Sequence, residues 1–117
     1  MRSILPVLVA DDDAGMRIML QHFLQQWGYT PRMCADGEEA WRMLQQPDAP
    51  RLAVLDWMMP VMNGREFLDI VSEHEEYKQI PMLVVTGFAG LDKSLPDDYL
   101  AKPVDTAALI AAINAKC

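Results

Sequence analysis

Four hydrophobic runs that each end in polar residues constrain the fold of this chain more than any other feature. The polar residues are Asp11, Asp12 and Asp13 after residues 4–10, Asp56 after residues 52–55, Thr86 after residues 82–85, and Lys102 after residues 99–101. If the runs are parallel strands of one sheet, their carboxyl ends meet at one edge, which is where open α/β sheets bind ligands. Carboxylates, a hydroxyl and an ammonium at that edge predict a site for Mg²⁺ and a phosphoryl group.

Segments with helical spacing alternate with these runs. Between residues 14 and 27 a single helical stripe carries Met16, Leu20, Phe23, Leu24 and Trp27. Gly28 follows as the expected helix stop. Strands that alternate with helices imply right-handed crossovers and a parallel sheet, so the pattern predicts an α/β fold.

The remaining elements follow from the same periodicity. Strands are predicted at 30–34, 51–56, 82–86 and 99–101, and helices at 38–46, at 65–75 and from an Asp105 N-cap to about residue 115. Pro31 lacks an N–H donor, which places strand 30–34 at a sheet edge. Gly87 to Asp98 holds Gly90 and Pro96 among few apolar residues, so we expect one turn or an irregular loop there.

Size and charge exclude several classes of protein. The chain has 117 residues, of which 51% are hydrophobic, enough for one well-buried domain. A net charge of −7 argues against binding of nucleic acid or of an anionic membrane surface by this chain. No run reaches the length of a membrane span, and the N-terminus lacks the features of a secretory signal. The only cysteines, Cys34 and Cys117, have no metal-ligand spacing, so we expect reduced thiols in a cytoplasmic protein.

Four motifs resemble those of response-regulator receiver domains, the phosphoacceptor modules of two-component signalling. They are VADDD at 9–13, LDWMMPVMNG at 55–64, VTG at 85–87 and DYLAKP at 98–103. The similarity to chemotaxis-regulator-like receivers covers essentially all of residues 1–117, which implies a single receiver domain. It also implies a doubly wound, flavodoxin-like parallel sheet of five strands in the order 2-1-3-4-5. The interval between Thr86 and Lys102 is shorter than in ordinary receivers, so the fourth helix of the family is expected to be short or irregular.

The resemblance also implies roles for individual residues. Asp56 matches the residue that accepts a phosphoryl group from a histidine kinase or a histidine phosphotransfer protein. Asp12, Asp56 and the backbone carbonyl of Met58 match the direct Mg²⁺ ligands, and Asp11 acts through water. Lys102 matches the lysine that pairs with a phosphoryl oxygen. Mg²⁺ itself prefers such oxygen ligands.

The resemblance further implies a switch that passes the signal to a downstream protein or a fused domain. Thr86 and Tyr99 match a pair in which the hydroxyl moves toward the phosphoryl group and the aromatic ring then turns inward. Gly87, without a side chain, leaves Asp56 accessible to a partner. A cis peptide bond is expected between Lys102 and Pro103.

The same residues also allow other interpretations. Asp11 to Asp13 could simply cap the first helix, where acidic residues are favoured, and we assign that role to Asp13. A Mg²⁺-dependent aspartyl-phosphate phosphatase would carry a second Asp where Met58 stands, which argues against an enzyme acting on external substrates. A flavin-binding domain would need a phosphate-cradling loop in place of the acidic one. A docking scaffold that is never phosphorylated remains an alternative.

Two histidines were considered as well. His22 and His74 lie outside any phosphohistidine motif, and both are predicted to be solvent-exposed.

Overall fold

A computed structural model of the chain shows a parallel sheet with helices on both faces. The structure describes residues 5–87, 93–96 and 98–116. In chain order the elements are β1 Leu5–Ala10, α1 Ala14–Gln26, β2 Tyr29–Cys34, α2 Gly37–Leu44, β3 Leu52–Leu55, α3 Gly64–Ser72, β4 Met82–Thr86, β5 Leu100–Ala101 and α4 Thr106–Lys116.

The five strands are all parallel and lie in the order β2-β1-β3-β4-β5, which confirms the predicted topology. Pro31 lies in β2, which is an edge strand as predicted. In the register of the sheet, Ala10 at the end of β1 pairs with Leu55 at the end of β3. The residues that follow these two strands therefore emerge side by side at the carboxyl edge.

The core consists of two hydrophobic clusters, one on each face of the sheet. The cluster with α1 and α4 contains Val7, Val9, Leu20, Leu24, Leu52, Val54, Leu83, Val85, Leu109 and Ile113. The cluster with α2 and α3 contains Leu8, Ala10, Cys34, Ala40, Leu44, Ala53, Leu55, Met59, Phe67 and Val71. Alternate residues of the central strands enter opposite clusters because side chains alternate across a strand. Burial of each large apolar side chain contributes about 1.5–3 kcal/mol, so this alternation fixes the strand register.

Side-chain caps fix where the helices begin. Asp13 is the N-cap of α1 and accepts a hydrogen bond from the Gly15 N–H, in agreement with the capping role assigned to it. Asn63 caps α3 and forms a reciprocal capping box with Glu66. A capping side chain of this kind contributes about 1 kcal/mol. Gly28 follows α1 with a φ of 90°, the left-handed conformation that ends a helix at glycine.

The two central helices end earlier than predicted, at Leu44 rather than 46 and at Ser72 rather than 75. After α3 the chain turns so that the His74 ring lies 4.9 Å from the Trp41 ring, measured between centroids. His74 is half-buried and its Nδ1 lies 2.9 Å from the Ile70 carbonyl oxygen, so the prediction that it is solvent-exposed was wrong. His22 is exposed, as predicted.

The region between β4 and β5 contains no helix among the residues that the structure describes there. Residues 93–95 and 98 form turns and a bend, while 88–92 and 97, which belong to the predicted irregular segment, lie outside the described residues. Strand β5 begins at Leu100, one residue later than predicted. The Asp105 carboxylate accepts from the Ala107 N–H at 3.3 Å at the start of α4, where a cap was predicted.

The two remaining expectations concern thiols and membranes. Cys34 is a free, buried thiol, and Cys117 lies outside the described residues. Across the part of the chain that the structure describes, no helix has the length and apolarity to cross a membrane.

Candidate functional site

Three carboxylates converge at the carboxyl edge of the sheet. One oxygen each of Asp11, Asp12 and Asp56 can be chosen so that all three lie within 4.8 Å of one another. Asp11 is 2% exposed and Asp56 is 6% exposed, whereas Asp12 is open to solvent. The cluster is therefore a buried acidic floor with one carboxylate at its rim.

Backbone pairing of adjacent strands places these acids. The Asp56 N–H donates to the Ala10 carbonyl at 2.8 Å, and the Asp11 N–H donates to the Cys34 carbonyl at 3.1 Å. Both residues thus continue the ladder of the sheet one step beyond their strands. Main-chain bonds between neighbouring strands therefore fix the backbone positions of the two acids relative to each other.

Lys102 completes the site from the other side. Its N–H donates to the Thr86 carbonyl at 2.9 Å, which holds the residue at the end of β5. Its ammonium Nζ lies 2.8 Å from Asp11 Oδ2 and 3.3 Å from Asp56 Oδ2. The Lys102–Pro103 peptide bond is cis, which confirms the prediction.

The site holds more negative charge than its lysine neutralises. Burial raises the pKa of Asp56, the neighbouring Asp11 carboxylate raises it further, and Lys102 opposes both effects. Burial alone lowers the pKa of Lys102, but the hydrogen bond and charge of Asp11, together with Asp56, raise it overall. Three carboxylates facing one ammonium leave room for further positive charge. An all-oxygen donor set of this kind fits a hard divalent cation.

The other residues predicted for the site lie around this cluster. Thr86 is fully buried at the end of β4, and Tyr99 is half-buried just before β5. Met58 is 47% exposed, and its backbone N–H lies 3.4 Å from Asp56 Oδ1. Gly87 is exposed, and a Cβ added there would meet no atom of the described residues within 4 Å. The structure therefore brings Met58, Thr86 and Gly87 to the end of the sheet that carries the carboxylates, and places Tyr99 immediately before the two-residue strand β5.

The loop between Asp56 and α3 folds back onto the phosphoacceptor candidate through a close backbone approach. A Cβ at Gly64 would lie 2.6 Å from the Asp56 carbonyl oxygen and 3.0 Å from the Trp57 Cα. The Gly64 N–H donates to the Trp57 carbonyl at 3.0 Å. Within this loop Val61 adopts a φ of 68°, an uncommon conformation for a β-branched residue. Sequence analysis treated Gly64 only as part of a motif and did not predict this contact.

Arg17 is a site residue that the sequence analysis missed. Its guanidinium Nη1 donates to the Asp11 carbonyl at 2.7 Å, from the second turn of α1. A signal was available, because Arg17 is the only Asp, Glu, Lys or Arg within α1. A single charged residue in an otherwise uncharged helix indicates a specific partner.

A separate groove lies between β2 and α2, away from the acidic cluster. It has a volume of about 490 Å³ and is lined by Arg32, Glu39, Arg42, Met43, Gln46 and Asp48. Arg32 is already paired with Asp48 in an ion pair. None of the clustered carboxylates borders this groove.

Comparisons with known proteins agree with this geometry. The family model described as response regulator receiver domain matches residues 7–114. The chain is 35% identical over 114 residues to the uncharacterized transcriptional regulatory protein YcbL of Bacillus subtilis, covering 92% of this chain and 49% of YcbL. It is 30% identical over 104 residues to the chemotaxis protein CheY1 of Helicobacter pylori, covering 83% of this chain and 84% of CheY1.

A solved structure extends the comparison to three dimensions. The chemotaxis response regulator CheY4 of Vibrio cholerae superposes with a TM-score of 0.87 at 30% identity, covering 98% of this chain and 100% of CheY4. The chain thus spans about half the length of YcbL but matches the whole of CheY4.

Proposed function

Because this chain belongs to the response regulator receiver domain family, we propose that Asp56 accepts a phosphoryl group from a histidine kinase or a histidine phosphotransfer protein. The observation that carries the proposal is the position of Asp56. Its carboxylate lies on a buried floor beside Asp11 and Asp12, and its Oδ2 is 3.3 Å from the Lys102 ammonium. The proposed domain is residues 1–117.

The proposed reaction transfers one phosphoryl group without an external catalyst residue. A carboxylate oxygen of Asp56 attacks the phosphorus of phosphohistidine, and a P–O bond forms as the P–N bond breaks. The electron pair of the broken bond leaves with the imidazole nitrogen. The ring departs as neutral imidazole if its other nitrogen carries a proton, and otherwise it takes a proton from water. Positioning and charge stabilisation supply most of the catalysis in reactions of this type.

Mg²⁺ is the proposed cofactor, held by Asp12, Asp56 and the Met58 backbone carbonyl, with Asp11 acting through water. When bound, it neutralises negative charge on the transferred phosphoryl oxygens. The three clustered carboxylates fit this role because they are hard oxygen donors in excess of their one lysine partner. Lys102 also opposes the rise that burial and Asp11 cause in the pKa of Asp56, and so favours the ionised form that can attack.

Lys102 has a second proposed role after transfer. Its ammonium already contacts Asp11 and Asp56, so it can pair with a phosphoryl oxygen attached to Asp56 without a large movement. As a compact charge on a flexible stem, a lysine suits a partner that changes between states.

The proposed output is a change in protein binding. The Thr86 hydroxyl would bond a phosphoryl oxygen, and Tyr99 would turn inward as the space around Thr86 changes. Such a local hydrogen-bond event can bias a packing element with two arrangements. The target would be a downstream protein or a fused domain, and this acidic chain would not itself contact nucleic acid.

Intact mass spectrometry tests the phosphoacceptor. The chain is incubated with Mg²⁺ and a small-molecule phosphodonor such as acetyl phosphate, alongside Asp56→Asn and a sample in chelator. We expect one phosphoryl adduct on the wild type and none on the variant or without Mg²⁺. No adduct on the wild type, even with a phosphorylated histidine kinase as donor, would instead support a docking scaffold that is never phosphorylated.

A further inference from the structure

Every polar group of Asp11 has a partner in the structure. Its N–H donates to the Cys34 carbonyl at 3.1 Å, and its own carbonyl accepts from Arg17 Nη1 at 2.7 Å. Its Oδ1 accepts from the Asp13 N–H at 2.9 Å, and its Oδ2 pairs with Lys102 at 2.8 Å. Asp11 is therefore fixed at four atoms.

Asp12 contrasts with its neighbour. Its side chain is exposed, and among the described residues its carboxylate makes no hydrogen bond or ion pair. The backbone on either side thus sets the direction of the Asp12 Cα–Cβ bond, and with it the region that the carboxylate can reach. The conformation of the turn 11–13 decides where Asp12 points.

Arg17 holds both ends of that turn. Its guanidinium donates to the carbonyl of Asp11, and its backbone N–H donates to the carbonyl of Asp13 at 3.0 Å. The second contact belongs to the helix and persists in any variant that keeps α1. The first depends on the arginine side chain alone.

We propose that Arg17 is a positioning residue for cation binding, because its guanidinium fixes the turn that directs Asp12. The inference rests on the proposed function. It assigns a role in the site to a side chain that touches neither the cation nor the phosphoryl group. Partners of this kind orient metal ligands, and their loss typically weakens metal affinity.

The sign of the effect separates positioning from simple electrostatics. Arg17 carries a positive charge beside an acidic cluster, so its removal would strengthen the binding of another cation if charge alone mattered. If the guanidinium positions the turn, its removal weakens binding despite the more negative site. The two explanations therefore predict opposite shifts in the dissociation constant.

The test measures Mg²⁺ affinity and backbone protection in Arg17→Met, with Arg42→Met as the matched control. Arg42 is an exposed arginine of α2, outside the acidic cluster, so the control removes the same charge elsewhere. By calorimetry we expect Mg²⁺ to bind Arg17→Met about tenfold more weakly than the wild type. Arg42→Met should bind as the wild type does. Equal or tighter binding by Arg17→Met would overturn the proposal.

Amide hydrogen exchange without metal supplies the second readout. We expect faster exchange of the Asp13 N–H in Arg17→Met, with the amides of β3 unchanged as an internal reference. If Arg17→Met fails to fold, Arg17→Lys keeps the charge and lacks the planar guanidinium. Weaker Mg²⁺ binding together with faster Asp13 exchange in that variant would support the proposal. Wild-type values for both would refute it.

The mass measurement on the wild type keeps the two proposals distinguishable. If the wild type binds Mg²⁺ but forms no phosphoryl adduct, the phosphoacceptor function fails while the role of Arg17 stands or falls on affinity and exchange. If the adduct forms and Arg17→Met retains wild-type affinity, only the positioning role fails.

Discussion

At the scale of the single residue, Asp56 is buried although its proposed role as phosphoacceptor requires a charged carboxylate. Its native pKa lies above its ordinary value because of burial and the adjacent Asp11 carboxylate. The native state therefore binds this proton more tightly than the unfolded chain does, and the folded protein loses stability as pH rises through the native pKa. The same charge that the proposed phosphoacceptor role requires of Asp56 opposes folding at neutral pH.

Asp56→Asn should therefore stabilise the protein when no metal is present. We expect an increase of about 1 kcal/mol in the free energy of unfolding at pH 7, because the substitution removes a charge that burial and Asp11 disfavour. The increase should disappear below about pH 3, where the wild-type carboxyl is protonated in both states. Urea denaturation in chelator across this pH range measures it. An increase of equal size at both ends of the range would contradict the electrostatic origin.

Residue types at strand ends were predictable from the sequence, but their contacts were not. Asp11, Asp56 and Thr86 follow hydrophobic runs, so their shared edge could be predicted once the sheet was assigned. Lys102 bridges two carboxylates that belong to other elements of the sheet. Arg17 bonds to Asp11, which lies six residues earlier in the chain. Such contacts depend on the rotation of a helix and on rotamers, which hydrophobic periodicity does not specify.

At the scale of the element, the start of α3 is tied to the end of β3 through Gly64. The Asn63 cap begins the helix at Gly64, whose backbone lies against the Asp56 carbonyl oxygen. A Cβ built on Gly64 would lie 2.6 Å from that oxygen, which is closer than real Cβ atoms approach. The helix and the candidate phosphoacceptor therefore share one backbone contact. A change at Gly64 shifts both.

Gly64→Ala tests this contact, with Gly87→Ala as the control at a glycine where an added Cβ would meet none of the described residues. Because the new Cβ would overlap the backbone of Asp56 and Trp57, we expect a loss of about 1–3 kcal/mol in unfolding free energy. Gly87→Ala should change the unfolding free energy by no more than about 0.5 kcal/mol. Thermal and urea denaturation of both variants measure the difference. Equal stabilities would show that the loop relaxes without cost.

Element types were predicted better than element ends. Pro31 correctly predicted that β2 lies at the sheet edge, because a proline has no N–H to donate to the hydrogen-bond ladder of a central strand. The end of α3 was placed too late, because no glycine or proline marks the stop at Ser72, after which His74 packs against Trp41. Local sequence signals do not report a contact with a residue more than thirty positions away.

At the scale of the whole molecule, the geometry of the acidic edge would couple the proposed cation binding to folding. The carboxylates come together only when β1 and β3 pair, so the unfolded chain has no comparable site. A ligand that binds only the native state stabilises it according to its free concentration.

Mg²⁺ should therefore raise the unfolding free energy by about 2.7 kcal/mol at a free concentration about 100 times its dissociation constant. Asp12→Ala should retain the metal-free stability, because its carboxylate is exposed and makes no contact among the described residues, and should lose most of the rise. Denaturation at a series of Mg²⁺ concentrations measures both. An equal rise in the variant would place the cation elsewhere.

The separation of the core into two clusters also bears on how such a chain can diverge. A side chain in the α1 and α4 cluster and one in the α2 and α3 cluster contact different sets of neighbours, although they alternate along the same strands. Substitutions without shared partners are close to additive in their effects on stability. One face can thus accumulate changes over generations while the other holds the strands in register. Descendants of this chain can acquire a new surface on one side and inherit the acidic edge intact.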